Sequence, residues 1–204
     1  MTEQILALAA FVFVSSITPG PNNLMLMASG ANFGITRTLP HAGGVALGVI
    51  FMIIALGLGL MALFERFPVV HEALKYACAA YLCYLAWKIA SAPTQLATSE
   101  KPQEPAREGK PFTFLQAVAF QWVNPKAWTM AMTALSVYAF PGQPLNGLLL
   151  IAVTFFAVNL PCISTWMSMG TQMRRLLKSP TRMRVFNVTA SILLLGTLIP
   201  VFAQ

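Results

Sequence analysis

The stretch Thr18–Gly30, TPGPNNLMLMASG, follows an apolar run, Ile5–Ile17 (ILALAAFVFVSSI), and puts two prolines and a glycine within four residues before apolar residues resume. Proline removes a backbone N–H and clashes with the preceding turn of a helix. It also pushes the residue before it out of the α region. Thr18 and Gly20 both stand in that position. The sequence therefore predicts a strong helix, broken sharply and restarted at once.

Composition says what solvent such a helix lives in. Of the 204 residues, 57% are hydrophobic and 9% charged, where a soluble domain carries about 25% charged residues. The mean hydropathy is +0.68. So little charge cannot solvate a folded surface, which points to a chain dissolved in lipid. Apolar segments run at roughly 4–28, 39–63, 69–90, 113–138, 146–171 and 183–202. Each is long enough to cross a hydrocarbon core of about 30 Å at about 1.5 Å per helical residue. They lack the short alternating pattern of barrel strands. The first reads as a span and not as a cleaved leader, since Met1–Gln4 holds Glu3 and no basic residue.

Residues 91–112, SAPTQLATSEKPQEPAREGKPF, have linker composition, with too few apolar groups to offset the entropy of ordering. They divide the chain into a first three-segment repeat (1–90) and a second (113–204). Basic residues sort around these segments. Arg37, Lys88, Lys101, Arg107, Lys110, Arg174, Arg175, Lys178, Arg182 and Arg184 lie in or beside loops one, three and five. Only Arg66 and Lys75 lie in the second loop region, a bias of ten against two. By the positive-inside rule those odd loops are cytoplasmic and both termini are outside. The excess of basic charge thus reports topology and contact with anionic membrane lipids, not nucleic-acid binding.

Three crossings per half would insert the second half upside down relative to the first. Secondary transporters commonly show such inverted repeats, with sites at the repeat interface formed from interrupted helices. The fourth segment supplies the counterpart break in Phe120–Met130, FQWVNPKAWTM. Thr18-Pro19 and Asn124-Pro125 share one pattern: a residue suited to an N-cap before a proline suited to the first helical position. The fold class expected is an all-α membrane protein of six helices in an inverted three-plus-three repeat, with helices one and four broken. A broken helix exposes backbone groups that lipid cannot satisfy, and each restarted helix opens with free N–H groups and partial positive charge. Two such ends make a receptor for a carboxylate; two structural kinks are the plainer reading. The candidate substrate-binding residues are Thr18, Pro19, Gly20, Pro21, Asn22, Asn23, Asn124, Pro125 and Lys126, with Gln121 and Asn159 as further lining.

Lys126 falls near the middle of its segment, where a lysine costs about 2.5–3.5 kcal/mol on insertion scales. The chain has no aspartate, and its glutamates (Glu3, Glu65, Glu72, Glu100, Glu104 and Glu108) all lie near segment ends or in the linker. The partner of Lys126 is then a freed backbone carbonyl, water, or an anionic group on a substrate. A proton relay through a midplane carboxylate is excluded. If protons are the coupling ion, Lys126, a water chain or His41 takes part, although His41 reads first as an interfacial residue. Gly44 and Gly48 stand at GxxxG spacing beside Gly43, which predicts close helix packing. Asn159-Leu-Pro161 is either cavity lining or a kink. The four tryptophans read as packing or interface anchors. Cys78, Cys83 and Cys162 read as free packing thiols, and the first two diverge on one helix, which disfavours a thiol-redox carrier. No HExxH or other metal site and no cofactor motif is present. A non-transporting assembly factor is the remaining alternative.

Together TPGPNN, the NPKA of Asn124–Ala127 and the AYLCYLAWK of Ala80–Lys88 resemble the LysE/RhtB family of bacterial amino-acid exporters. The resemblance covers essentially the whole chain, and the GPNN form is most similar to the branch containing cysteine/O-acetylserine exporters. It implies export of a small amino acid or close derivative across the inner membrane, often attributed to proton exchange, with no cofactor and with homo-oligomerisation left open. Some relatives carry an acidic residue where this chain has Asn22, so a basic amino acid finds no midplane anion here.

Overall fold

The computed structural model describes residues 2–60, 62, 66–92, 110–138, 142, 144–177 and 179–202. Glu65, Lys178, most of the polar linker and the C-terminal Gln204 lie outside these. Among the described residues the chain is helical throughout, without strands. Helix α1 is Thr2–Ile17, α2 Pro21–Phe33, α3 Ile35–Ala55 and α4 Pro68–Ala90. A π-helical turn, Leu56–Leu60, continues α3. After the linker come α5, Phe114–Phe120, a 3₁₀ turn at Gln121–Val123, and α6, Pro125–Val137. Then follow α7, Pro144–Leu176, α8, Pro180–Gly196, and the short α9, Ile199–Phe202.

Ile35–Leu60 and Pro144–Arg174 are each long and apolar enough to cross a membrane, and α1 with α2, bent by 53° at the break, makes a third such span. Helix α4 has 23 residues but carries Glu72, Lys75 and Lys88. Large apolar side chains such as Leu6, Val153 and Ile192 are more than 60% exposed, as a surface that faces hydrocarbon requires.

Small residues bring the helices together. A Cβ on Gly170 of α7 would collide with the backbone of Met27 on α2, and one on Gly30 with the carbonyl of Met167. The two helices therefore cross in backbone contact. Gly44 and Gly48 do the same for α3 against α5: a Cβ at Gly48 would lie 2.9 Å from the Val118 Cα. The GxxxG spacing carries the packing it implied. Thr113 opens α5 with a capping box: its hydroxyl accepts from the Gln116 N–H, and the Gln116 side chain accepts from the Thr113 N–H. Phe112, at the end of the linker, is buried against His41 and Phe120.

The buried apolar residues form two clusters. One holds Leu24–Leu26 of α2 with Ala117 and Phe120 of α5. The other holds Leu8 and Val12 of α1 with Ala127, Trp128 and Ala131 of α6. Each broken helix thus contributes one half to each cluster, and the polar breaks fall between them.

Candidate functional site

Broken helices leave carbonyls without partners, and at the first break side chains supply every one. The Thr18 hydroxyl donates to the Ser15 carbonyl at 3.1 Å. Asn23 reaches back from α2 and donates to the carbonyls of Ser16 (2.7 Å) and Thr18 (2.8 Å). The Trp166 indole, on α7, donates to the Ile17 carbonyl at 3.0 Å. Lys126 Nζ donates to the Thr18 carbonyl (2.7 Å), the Thr18 hydroxyl (2.9 Å) and the Pro19 carbonyl (3.3 Å). Of the three partners open to Lys126, the structure shows freed backbone carbonyls. The C-terminal end of α1, with its partial negative charge, complements the ammonium.

The restart differs in one respect from the sequence expectation. Helix α2 begins at Pro21 with an extended Gly20 as its N-cap, so Gly20-Pro21, not Thr18-Pro19, is the equivalent of Asn124-Pro125. Thr18 still belongs to the last turn of α1, its N–H donating to the Val14 carbonyl. Asn124 is the N-cap of α6 and Pro125 its first residue, as the pattern implied, but neither α2 nor α6 carries a side-chain cap. At the second break the Trp128 indole donates to the Trp122 carbonyl at 3.0 Å, so a tryptophan closes an orphan carbonyl at each break.

The breaks touch in two places. Asn22 and Gln121 exchange amide hydrogen bonds of 2.9 and 3.2 Å, with Gln121 also tied to the Ala117 carbonyl. Lys126 spans from the second break to the first. Its stem passes over Gly20, where a Cβ would lie 2.6 Å from the Lys126 Cδ. Thr18 and Pro19 are exposed, whereas Gly20 and Asn124 are buried.

Between the breaks lies a cavity of about 30 Å³ lined by Ser16, Gly20, Asn22, Asn124, Lys126 and Asn159, among others. That holds water but not an amino acid. Ser16 Oγ and Asn124 Oδ1 are buried without a protein partner. Asn23 also lines this cavity. Helix α7 continues through Pro161, and Asn159 on it faces the cavity. On one side, a larger cavity of about 600 Å³ shares Gly20 and Lys126 with the small one and adds Pro19, Pro21, Glu72, Lys75, Pro125 and Thr129. Lys126 is the wall between them. The sequence-expected residues are thus all brought to one place. The reading of the chain missed Ser16 and Trp166, whose parts depend on contacts from other helices; Trp166 is identical in sequence terms to any packing tryptophan.

His41 is buried inside the protein and not exposed on its surface. It is 1% exposed, and neither ring nitrogen has a partner. It is drawn inward because its helix, α3, packs along both α2 and α5, and the Phe112 ring covers it at 5.3 Å. Cys78 and Cys162 are buried, Cys83 is exposed and all three are free. Among the described residues no cluster of side chains could hold a metal ion.

The family described as LysE type translocator matches residues 13–199. Cysteine/O-acetylserine efflux proteins of Escherichia coli (strain K12) and Shigella sonnei (strain Ss046) are each 29% identical over 99% of this chain and 100% of their own. The same holds for that of Escherichia coli O139:H28. No solved structure matches the chain.

Proposed function

Because the chain belongs to the LysE type translocator family, we propose that it exports a small neutral α-amino acid or close derivative, of the cysteine or O-acetylserine kind, across the bacterial inner membrane. The observation that carries this reading is the meeting of two uncapped helix starts around a cavity that holds unpartnered polar atoms of Ser16 and Asn124. The N–H groups opening α2 and α6 bind the α-carboxylate. Asn22, Asn23 and Asn159 read the amino group and side chain. The relatives' names place cysteine and O-acetylserine among their cargo, and among the described residues no carboxylate lines the small cavity between the breaks, which offers no anion there to a basic side chain.

The form described here is closed, since about 30 Å³ admits no amino acid. Opening toward the 600 Å³ cavity requires Lys126 to leave the Thr18 and Pro19 carbonyls, and the arriving carboxylate is the natural replacement for them. The two breaks belong to inverted halves, 1–90 and 113–204, joined by the 91–112 linker on the cytoplasmic side, with both termini outside. Rocking of one half against the other alternates access. Protons are the coupling ion, carried by Lys126 and water.

The test is uptake of labelled O-acetylserine into inside-out vesicles, with competition by unlabelled compounds. A free amino acid competes, whereas its amide and its decarboxylated amine do not. Equal competition by all three removes carboxylate recognition.

A further inference from the structure

A second cavity, of about 460 Å³, lies apart from the breaks and is lined by α2 (Met25, Ser29, Asn32), His41 of α3, the C-terminal end of α4 (Leu85, Lys88) and Lys110–Phe112. Its size is that of a small-molecule site. Among the described residues, two lysines and no carboxylate line it. Lys88 Nζ rests 6.0 Å from the centre of the Phe112 ring, which holds the charge beside the cavity. The opposite wall is polar and uncharged. Ser29 Oγ bonds Thr38 Oγ1 at 2.9 Å. Asn32 and Asn187 exchange amide hydrogen bonds of 2.9 and 3.2 Å. His41, 1% exposed, lacks a partner on both nitrogens. A neutral imidazole offers one N–H donor and one lone-pair acceptor, and here both are unused.

We propose that this cavity is a loading site, where a neutral α-amino acid binds from the cytoplasm before it reaches the breaks. Its carboxylate pairs with Lys88 and Lys110, its side chain lies along Met25, Leu85 and Phe112, and its ammonium faces Ser29, Asn32 and His41. An anionic lipid satisfies the lysines equally well, but its acyl chain buries this polar wall without hydrogen bonds, at a cost. The lining of α2 continues from Asn22 at the central cavity to Asn32 here, about 15 Å along the helix, so both sites lie on one path. The inference rests on the exporter reading for its cargo, not for its existence.

Thiol protection tests it. With Cys83 replaced by serine, Ser91→Cys places a single reactive thiol in the cavity lining, since Cys78 and Cys162 are buried. O-acetylserine slows its alkylation by a membrane-impermeant maleimide in inside-out vesicles, and O-acetylethanolamine, which lacks the carboxylate, does not. Adding Lys88→Gln and Lys110→Gln raises the concentration needed for protection about tenfold or more, the loss of a charge-assisted contact. Arg182→Gln with Arg184→Gln, which removes the same charge away from the cavity, leaves it unchanged. Protection persists in a Lys126→Met background even where transport is lost, which separates this site from the central one. No protection by the amino acid overturns the proposal. So does protection that vanishes with Lys126→Met, or that follows phosphatidylglycerol content and ignores the amino acid, which identifies a lipid groove. Protection by O-acetylserine in a protein that exports nothing leaves the site standing and removes the exporter reading instead.

Discussion

Lys126 reaches from the second break to three acceptors on Thr18 and Pro19 at the first. Its charge offsets carbonyls that hydrocarbon cannot. Lys126→Met leaves the Pro19 carbonyl without its donor and removes the charge that spans the two breaks. The expected outcome is a protein that still inserts but exports at least about tenfold more slowly, measured in vesicles matched for protein content; unchanged export removes Lys126 from the mechanism. Gly20→Ala reaches the same end by steric means, because the added methyl occupies the path of the lysine stem. The Asn22–Gln121 pair makes a separate prediction. Truncating each to alanine, alone and together, should reveal a coupling of about 0.5–3 kcal/mol in detergent unfolding, and additive losses would show that the two breaks are not held through these amides. Lys126 and both asparagines were legible in the sequence as polar residues beside prolines. Ser16 was not, since a serine inside an apolar run is equally at home bonding its own helix.

At the scale of elements, the breaks and the crossings were read from the chain with unequal success. Proline spacing located both breaks, because the loss of an N–H is a local event. It misplaced the N-cap of α2 by two residues, because the Thr18 N–H still bonds the Val14 carbonyl at the end of α1 and the chain turns extended only at Gly20, before Pro21. Which helices meet at glycine was not readable: Gly30 and Gly170 are 140 positions apart, Gly170 stands in no GxxxG pair, and the pair Gly30–Gly34 does not name its partner helix. Gly170→Val forces α2 and α7 apart at Met27, and overpacking of this kind costs about 1–3 kcal/mol. A lowered thermal midpoint in detergent checks it; a native midpoint would mean the crossing is looser than described. Pro125→Ala restores an N–H at the start of α6 and permits the 3₁₀ turn to join it as one helix. Export should fall while the unfolding midpoint stays level or rises, since a helical alanine is favoured over proline.

For the whole molecule, charge placement makes the boldest claim. A reporter active only in the cytoplasm should work when inserted at 91–112 and fail when fused to Gln204; activity at the C-terminus inverts the orientation and moves the loading cavity to the other face. Glu3→Gln with Glu65→Gln and Glu72→Gln should leave pH-gradient-driven export in place, and its loss would put a carboxylate into the coupling path. The apolar exterior was legible because composition alone demands it, whereas the burial of His41 was not, because it follows from how α2, α3 and α5 close around one ring. The narrow cavity between the breaks has a meaning beyond the cargo. A cell that expels metabolites through this protein must keep its own electrochemical gradient while the protein idles. On the path proposed between the breaks, some 30 Å³ of space and a tethered ammonium would make the resting molecule a seal: water finds room, but hydrated ions meet a fixed positive charge and a wall. Vesicles bearing Gly20→Ala or Lys126→Met, with no amino acid added, should therefore lose an imposed ion gradient faster than vesicles with the native protein, so that damage to this one contact harms the cell by leakage before it harms it by retention.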